Sequence, residues 1–376
     1  LRPAVTHLLG AANGGEPGHP DRFLSISDIY FDPGDKPEIE IILGPQLSAD
    51  ALYDFVIATK QKEVLIPNLP LYYRLPAMDG YDGGVLPLRR YVTLERLYMP
   101  EERVAIDGRL RENLRAVPDG RWLSLFNVRY VITDKVGDAW FDDVFYDLQM
   151  GATLNVGDEV PVGYVPSFPA TALGVVYQAD EVVRGALLAQ LAVTFSDGRQ
   201  MTLPLLADGA EAGDRVARLT WDQPDVPAAV TVRNVRSTGP VTIRGLSLID
   251  ERTDAFLPLS LSDSGRYRLV HSGDVKIYEN LETLPRLFFV PNAVTVPDDE
   301  AALATMREPD FSPFETVVLQ ESQSHNAAPD ALRPESRFVD NATTQILRYE
   351  PEVISAVVNT PTAGWLVLTD AWYPGW

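Results

Sequence analysis

The sequence predicts an α+β fold that is predominantly β and has three parts. Thirty prolines and 26 glycines suit strands joined by turns, and short alternating apolar runs outnumber helical periods. We expect an N-terminal α/β domain over residues 1–160 and a central β-sandwich, of a carbohydrate-binding, galactose-binding-like kind, over 161–262. A small mixed, β-rich unit, cut short at its C-terminal end, is expected over 263–376.

The N-terminal part combines short strands with several helices. Residues 1–22, rich in Gly, Pro and His, predict a loop, and Ser48 is the predicted N-cap of a helix. The buried face of that helix is expected to carry Leu52, Phe55, Val56 and Thr59. Further helices are predicted at 88–97, 109–116 and 122–126, and strands at 23–29, 38–43, 64–66 and 127–133.

The central and C-terminal parts contain most of the predicted strands. The sandwich strands are expected at 172–178, 187–195, 200–205, 215–220, 229–235 and 241–249, with a hairpin turn at Ser196–Arg199. A second hairpin is expected around His271–Asp274, and a helix at 301–306 opens with consecutive acids. The remaining strands are predicted at 287–290, 316–320, 345–349, 353–359 and 365–369.

The composition of the chain argues against several classes of ligand. A formal charge of −21 argues against nucleic acid and against electrostatic docking on anionic lipid. There is no cysteine for thiol chemistry, and the four histidines are scattered singly, so we expect no metal and no cofactor. A group of acids at Asp134, Asp138, Asp142 and Asp143 lacks the spacing of a calcium loop. No apolar run approaches the ~18 to 20 residues of a membrane span.

The leading site candidate is an acidic loop followed by two arginines. Asp79, Tyr81 and Asp82 lie near Arg89, Arg90 and Tyr91 in the sequence. Two carboxylates and two guanidinium groups could bind sugar hydroxyls or a cation. The alternative is an Asp-rich turn whose side chains cap their own backbone.

The tail is the second candidate. Trp372 and Tyr373 belong to an aromatic group that could stack on sugar rings or sit at membrane headgroups, or could instead fill a β-core. We assign no catalytic residue, because no nucleophile elbow or phosphate loop is present and 53 acids make any single carboxylate pair arbitrary. The chain starts at Leu1 and stops after a Pro-Gly turn, so we expect it to be a piece of a longer protein.

Four segments together resemble the YfhO-like family of bacterial integral membrane proteins. They are Asp79–Asp82 ahead of Arg90-Tyr91, the strand Asn127–Thr133, Val275–Asn280 followed by Leu284–Phe288, and the tail Trp365–Trp376. They keep the family's order between about residue 70 and the end. Residues 1–60 and 161–261 carry no such mark, and the family's many membrane helices are not in this chain.

The resemblance implies the extracytoplasmic region of a membrane protein, facing outward from a bacterial cell membrane. The family is similar to glycosyltransferases that use polyprenyl-phosphate sugars, whose catalytic acids lie on loops absent from this sequence. The expected partner is therefore a glycan or lipid-linked glycan, bound or positioned by a piece that is inactive alone. Two alternatives remain: a secreted glycoside hydrolase or carbohydrate-binding module, and a structural scaffold of a membrane complex.

Overall fold

A computed structural model describes residues 3–14, 21–80, 87–104, 110–114, 116–180, 183–209, 213–320, 342–350 and 352–371. Its α-helices are α1 (Pro3–Gly14), α2 (Lys36–Leu43), α3 (Ala49–Glu63), α4 (Leu69–Tyr73), α5 (Arg89–Glu95), α6 (Leu110–Asn113), α7 (Gly120–Leu125) and α8 (Asp299–Arg307). A short 3-10 helix spans Glu101–Arg103.

The first strands are β1 (Arg22–Ser25), β2 (Val128–Thr133), β3 (Asp138–Phe141), β4 (Val144–Asp147), β5 (Ala152–Leu154) and β6 (Glu159–Pro161). They are followed by β7 (Ala170–Gln178), β8 (Leu187–Phe195), β9 (Gln200–Leu206), β10 (Arg215–Asp225), β11 (Pro227–Asn234), β12 (Val241–Asp250) and β13 (Ala255–Leu259). The last are β14 (Tyr267–Ser272), β15 (Lys276–Asn280), β16 (Leu287–Val290), β17 (Asn292–Val296), β18 (Thr316–Gln320), β19 (Thr343–Glu350), β20 (Val353–Asn359) and β21 (Trp365–Leu368).

Strand accounts for 40% and helix for 21%, so the predicted α+β, predominantly β class is confirmed. The chain divides into two compact units. Unit 1 comprises residues 1–26, 57–130 and 283–376, and unit 2 comprises 27–56 and 131–282. Among the described helices, none is long and apolar enough to cross a membrane.

Unit 2 contains the predicted β-sandwich. One sheet has the order β10-β7-β12-β13, with β5 also pairing with β12, and the other has the order β6-β11-β8-β9. Their inner faces share one apolar core, in which Leu173, Leu191, Val232 and Leu248 are fully buried. The strands are antiparallel, and the predicted turn between β8 and β9 has Gly198 at a φ of 86°.

Unit 1 contains two features that frame the site. Strands β17 and β18 are parallel, from Asn292↔Thr316 to Val296↔Gln320, and α8 lies between them in the chain. This is a βαβ crossover, the usual way to join parallel neighbours. Strands β16 and β21 pair antiparallel, with Leu287 opposite Leu368. Gly364 permits this pairing, because a Cβ there would lie 2.3 Å from Cζ of Phe289.

Three sequence predictions in the N-terminal part were wrong. Residues 3–14 form α1 rather than a loop, because Ala4, Val5 and Leu8 form a buried helical face. Residues 38–43 belong to α2, which has a proline in its first turn, rather than to a strand; none of the residues in α2 is buried. Residues 64–66 are not a strand.

The segment after α3 is buried but irregular. Leu65 has a φ of 49°, which breaks extended geometry. The carbonyls of Val64 and Leu65 accept hydrogen bonds from side chains, including Ser25 Oγ at 2.7 Å and Arg111 Nη2 at 2.8 Å. The α3 helix itself is confirmed with Ser48 as its cap, but Phe55 of its predicted buried face is 43% exposed.

Candidate functional site

The candidate site is an apolar cavity of about 400 Å³ in unit 1. This volume lies within the range of ~300 to 1,000 Å³ that is typical of small-molecule sites. Its walls come from α5, α7, the β17-α8-β18 crossover, the β16–β21 pair and the segment around Met78. The apolar lining residues are Ala77, Met78, Leu88, Leu94, Leu125, Phe126, Phe288, Met306, Phe311, Pro313, Val317, Val318, Val367, Leu368 and Ala371.

Two packed clusters hold these walls in place. One joins Leu97, Trp122, Leu303 and Met306 between α5, α7 and α8. The other joins Leu284, which precedes β16, to Phe288 and Val290 of β16, with Val317 of β18 and Val367 of β21 packed against it. Helix α8 is fixed by its cap, because Asp298 Oδ1 accepts from the backbone N–H of Ala301 at 2.8 Å. The cavity is therefore framed by secondary structure, which favours a preformed site.

The polar groups of the cavity are a small set. Arg22 forms an ion pair with Asp370, and its Nη1 donates to the carbonyl of Phe126 at 3.1 Å and to Thr369 Oγ1 at 3.2 Å. Arg90 Nη2 donates to Gln320 Oε1 at 2.7 Å. The residues Arg22, Arg90, Tyr91, Thr316, Thr369 and Asp370 all line the cavity. Such a lining can hold an apolar chain and offer donors and acceptors to a polar head.

Asp370 is the centre of the charged network. It accepts from Arg286 Nη1 at 3.1 Å and from the hydroxyl of Tyr349 at 2.6 Å, in addition to Arg22. The Arg22, Asp370 and Arg286 side chains are only 15%, 11% and 6% exposed. Burial, together with the nearby Arg286, lowers the pKa of Arg22. Burial and the hydrogen bond to Asp370 raise the pKa of Tyr349.

Of the three candidate residues in the predicted acidic loop, the structure describes only Asp79. Asp79 is buried; it accepts from the Leu110 N–H at 2.9 Å and from Arg111 Nε at 2.9 Å. Burial raises the pKa of Asp79 against the opposing effect of Arg111. This carboxylate therefore anchors the chain beside the cavity. Tyr81 and Asp82 lie outside the described residues.

The other predicted site residues do not all lie at the cavity. Arg90 and Tyr91 line the cavity, and the Tyr91 hydroxyl donates to the Met78 carbonyl at 2.7 Å. Burial raises the pKa of Tyr91, so its hydroxyl stays protonated. Arg89 is exposed and pairs with Asp299 at 3.6 Å. Trp372 and Tyr373 lie outside the described residues.

Sequence reasoning missed Arg22, Asp370, Arg286 and Tyr349. The pairing of Arg22 with Asp370 spans 348 positions, a separation at which no local pattern operates. A partial signal was present, since Arg286 and Asp370 both lie in segments that carry the family resemblance. Asn127, in a third such segment, donates from Nδ2 to the Leu284 carbonyl at 2.9 Å. Parts of four resembling segments therefore meet in unit 1.

A second buried charged cluster lies in unit 2. Lys276 is fully buried and donates to Asp147 at 2.8 Å and also to Asp138. The hydroxyl of Tyr278 donates to the same Asp147. Burial raises the pKa values of Asp138 and Tyr278. Because these partners satisfy one another, we interpret the cluster as structural.

Comparisons with known proteins add little. No family model matches the chain, and no curated protein matches it. Among solved structures, the chain is similar to one from the infectious bursal disease virus Gt strain, with 14% identity and a TM-score of 0.19. The similarity covers 41% of this chain and 38% of the viral one, and at that score it carries no argument.

Proposed function

We propose that this chain is an extracytoplasmic part of a bacterial membrane protein and that it binds or positions a lipid-linked glycan. The observation that carries the proposal is the apolar cavity of unit 1 with its polar set of Arg22, Arg90, Thr369 and Asp370. An isoprenoid or acyl chain would occupy the apolar part. Phosphate oxygens would accept from the guanidinium groups, and sugar hydroxyls would donate to the carboxylate.

The resemblance to the YfhO-like family supports the same proposal. The segments that carry it contribute Arg90, Tyr91, Phe288 and Asp370 to the cavity lining. The proposed location is the outer face of a bacterial cell membrane. The bound glycan would be held for a partner to act on, with no bond broken by this chain.

The alternative function, hydrolysis of a glycosidic bond, is less well supported. A glycosidase needs two carboxylates facing one bond. Asp370 is the single carboxylate among the described residues that line the cavity, and it is already engaged by Arg22, Arg286 and Tyr349.

The test is calorimetric titration with farnesyl phosphoryl glucose below its micelle concentration. Ala371 is exposed and lines the cavity, so Ala371→Trp should fill the cavity without disturbing the core. If the new tryptophan keeps even two methylene groups of the isoprenoid chain out of the cavity, the affinity should fall about tenfold. Ala363, exposed in the same unit and absent from the lining, supplies the control Ala363→Trp. No binding, or equal binding by both variants, would refute the proposal.

One observation favours the scaffold alternative. Helix α2 has no buried residue, and its Ile41 and Ile42 are 75% and 61% exposed. Apolar side chains in this state are typical of a protein contact. A photoreactive residue at position 42 should then crosslink to a membrane protein in bacterial cells, whereas one at Asp32 should not. Equal crosslinking at both positions would remove this alternative.

A further inference from the structure

Unit 2 carries an exposed aromatic group that the cavity does not involve. Trp140 is 64% exposed at the end of the β3–β4 hairpin. Its ring lies 5.5 Å from Phe145 and 5.4 Å from Phe256, the latter edge to face at 87°. Two rings therefore fix the orientation of the indole while most of it stays accessible.

The hairpin that carries Trp140 is itself firmly held. Val144 and Tyr146 of β4 are buried against Ala172, Val176 and Ile249 on the outer face of one sandwich sheet. Gly174 lies directly below the Tyr146 hydroxyl, since a Cβ there would be 2.1 Å from that oxygen. An indole on such a support loses little conformational freedom when it binds a ligand.

Two acidic residues follow the Trp140 strand in the chain. Asp142 and Asp143 form the turn of the hairpin with φ values of 47° and 62°, and both are exposed. Among the described residues, neither carboxylate has an ion-pair partner. One hairpin therefore carries both a fixed indole, which offers a surface for C–H groups, and two carboxylates, which offer acceptors for hydroxyl groups.

This chemistry selects one kind of ligand. A pyranose in the β-gluco configuration presents axial C–H groups on its faces and equatorial hydroxyls around its edge. The carboxylates, on a chain of formal charge −21, would repel an anionic sugar. A lipid surface fits poorly, because the two exposed carboxylates would enter the headgroup region beside the indole.

We propose that Trp140, with Asp142 and Asp143, forms a stacking subsite for neutral β-gluco-configured oligosaccharides on the sandwich of unit 2. The subsite does not depend on the cavity of unit 1. It would recognise the carbohydrate part of a glycan, whether or not a lipid is attached.

The experiment is calorimetric titration of the whole chain with cellohexaose. Trp140→Ala should weaken binding about tenfold, since a stacking contact contributes up to about 1.5 kcal/mol. Tyr30 is 90% exposed in the same unit, and Tyr30→Ala should bind as the wild type does. Thermal unfolding should stay cooperative in both variants, with at most a modest fall in Tm for Trp140→Ala, which also loses the ring contacts with Phe145 and Phe256.

A second variant tests the role of charge. Asp142→Asn combined with Asp143→Asn keeps the turn, because Asn tolerates left-handed backbone. Wild type should reject a hexamer of galacturonate, and the double variant should lose part of that discrimination. Absence of cellohexaose binding, or binding unaffected by Trp140→Ala, would overturn the proposal. Ala371→Trp should leave cellohexaose binding intact, so failure of one proposal is distinguishable from failure of the other.

Discussion

The charged network at the cavity should stabilise unit 1, and Asp370→Asn is the perturbation that tests this. The wild-type carboxylate accepts from Arg22, Arg286 and Tyr349, and the three charged side chains are at most 15% exposed. The amide keeps the shape of the carboxylate but leaves two guanidinium groups facing each other without their shared counter-charge. Burial keeps solvent from screening that repulsion.

The expected loss in free energy of unfolding is about 3 kcal/mol. Breaking a buried pair by removing one partner costs ~3 to 5 kcal/mol, and the lower end applies because the Asn oxygen can still accept one hydrogen bond. The matched control is Glu300→Gln at the pair with Arg96. Glu300 is 67% exposed, so its loss should cost far less than that of Asp370, because solvent screens an exposed pair.

The assay is hydrogen exchange by mass spectrometry across a urea series. Peptides from β16 and β21 report on unit 1, and peptides from β7 and β12 report on unit 2. Asp370→Asn should lower the protection of the first pair while leaving the second pair close to wild type. A loss no larger than that of the Glu300 control would refute the assignment of Asp370 as the centre of a stabilising network.

Two further predictions concern unit 2. The side-chain hydrogen bonds from Arg252 lower the pKa of Asp250 to about 2. The stabilising contribution of the Asp250 carboxylate should therefore be fully present above about pH 4. It should be lost as the pH falls through about 2. Carbon-detected NMR titration should show this pKa, and Arg252→Ala should return it towards about 4; an unchanged value would contradict the cause. Gly174→Ala should lower the free energy of unfolding in urea by about 2 kcal/mol, because the new Cβ would overpack against Tyr146. Gly209→Ala is the control, since no atom lies within 4 Å of its new Cβ, and it should change that free energy by no more than about 0.5 kcal/mol. Equal losses would show that the close approach of Gly174 to Tyr146 does not matter.

The sandwich could be predicted because its strands obey a two-residue period. In β8, Leu191, Val193 and Phe195 face the core at every second position. The alternation is broken at the start of the strand, where Leu188 and Ala189 are both buried. The pairing of β8 with β9 shifts register at that point, which a two-residue period alone could not have predicted.

The same kind of alternation led to the wrong prediction of a strand where the chain forms α2. Ile39, Glu40 and Ile41 alternate between apolar and polar, but they lie on a helix without a buried residue. A strand needs a neighbour to which its backbone can hydrogen-bond, and three alternating residues do not show that one is present. The proline at the start of this helix was the better signal.

The site was only partly predictable, for a physical reason. Arg90 and Tyr91 stood out locally because they follow an acidic loop, and both line the cavity. The contact of Arg22 with Asp370 depends on how distant segments pack, which no local period encodes. Strand β17 was missed because its five residues, Asn292–Val296, do not alternate strictly between apolar and polar. Without this strand, the crossover that forms one wall of the cavity could not be inferred.

Photo-crosslinking is the most direct test of the proposed lipid-linked glycan site. A farnesyl phosphoryl glucose with a diazirine on its isoprenoid chain would be bound to the whole protein and irradiated. The proposal predicts crosslinks to peptides that contain Leu94, Leu125 and Val318, which line the cavity, and their loss in Ala371→Trp. Crosslinks spread over exposed apolar residues such as Ile41 and unaffected by that variant would contradict it.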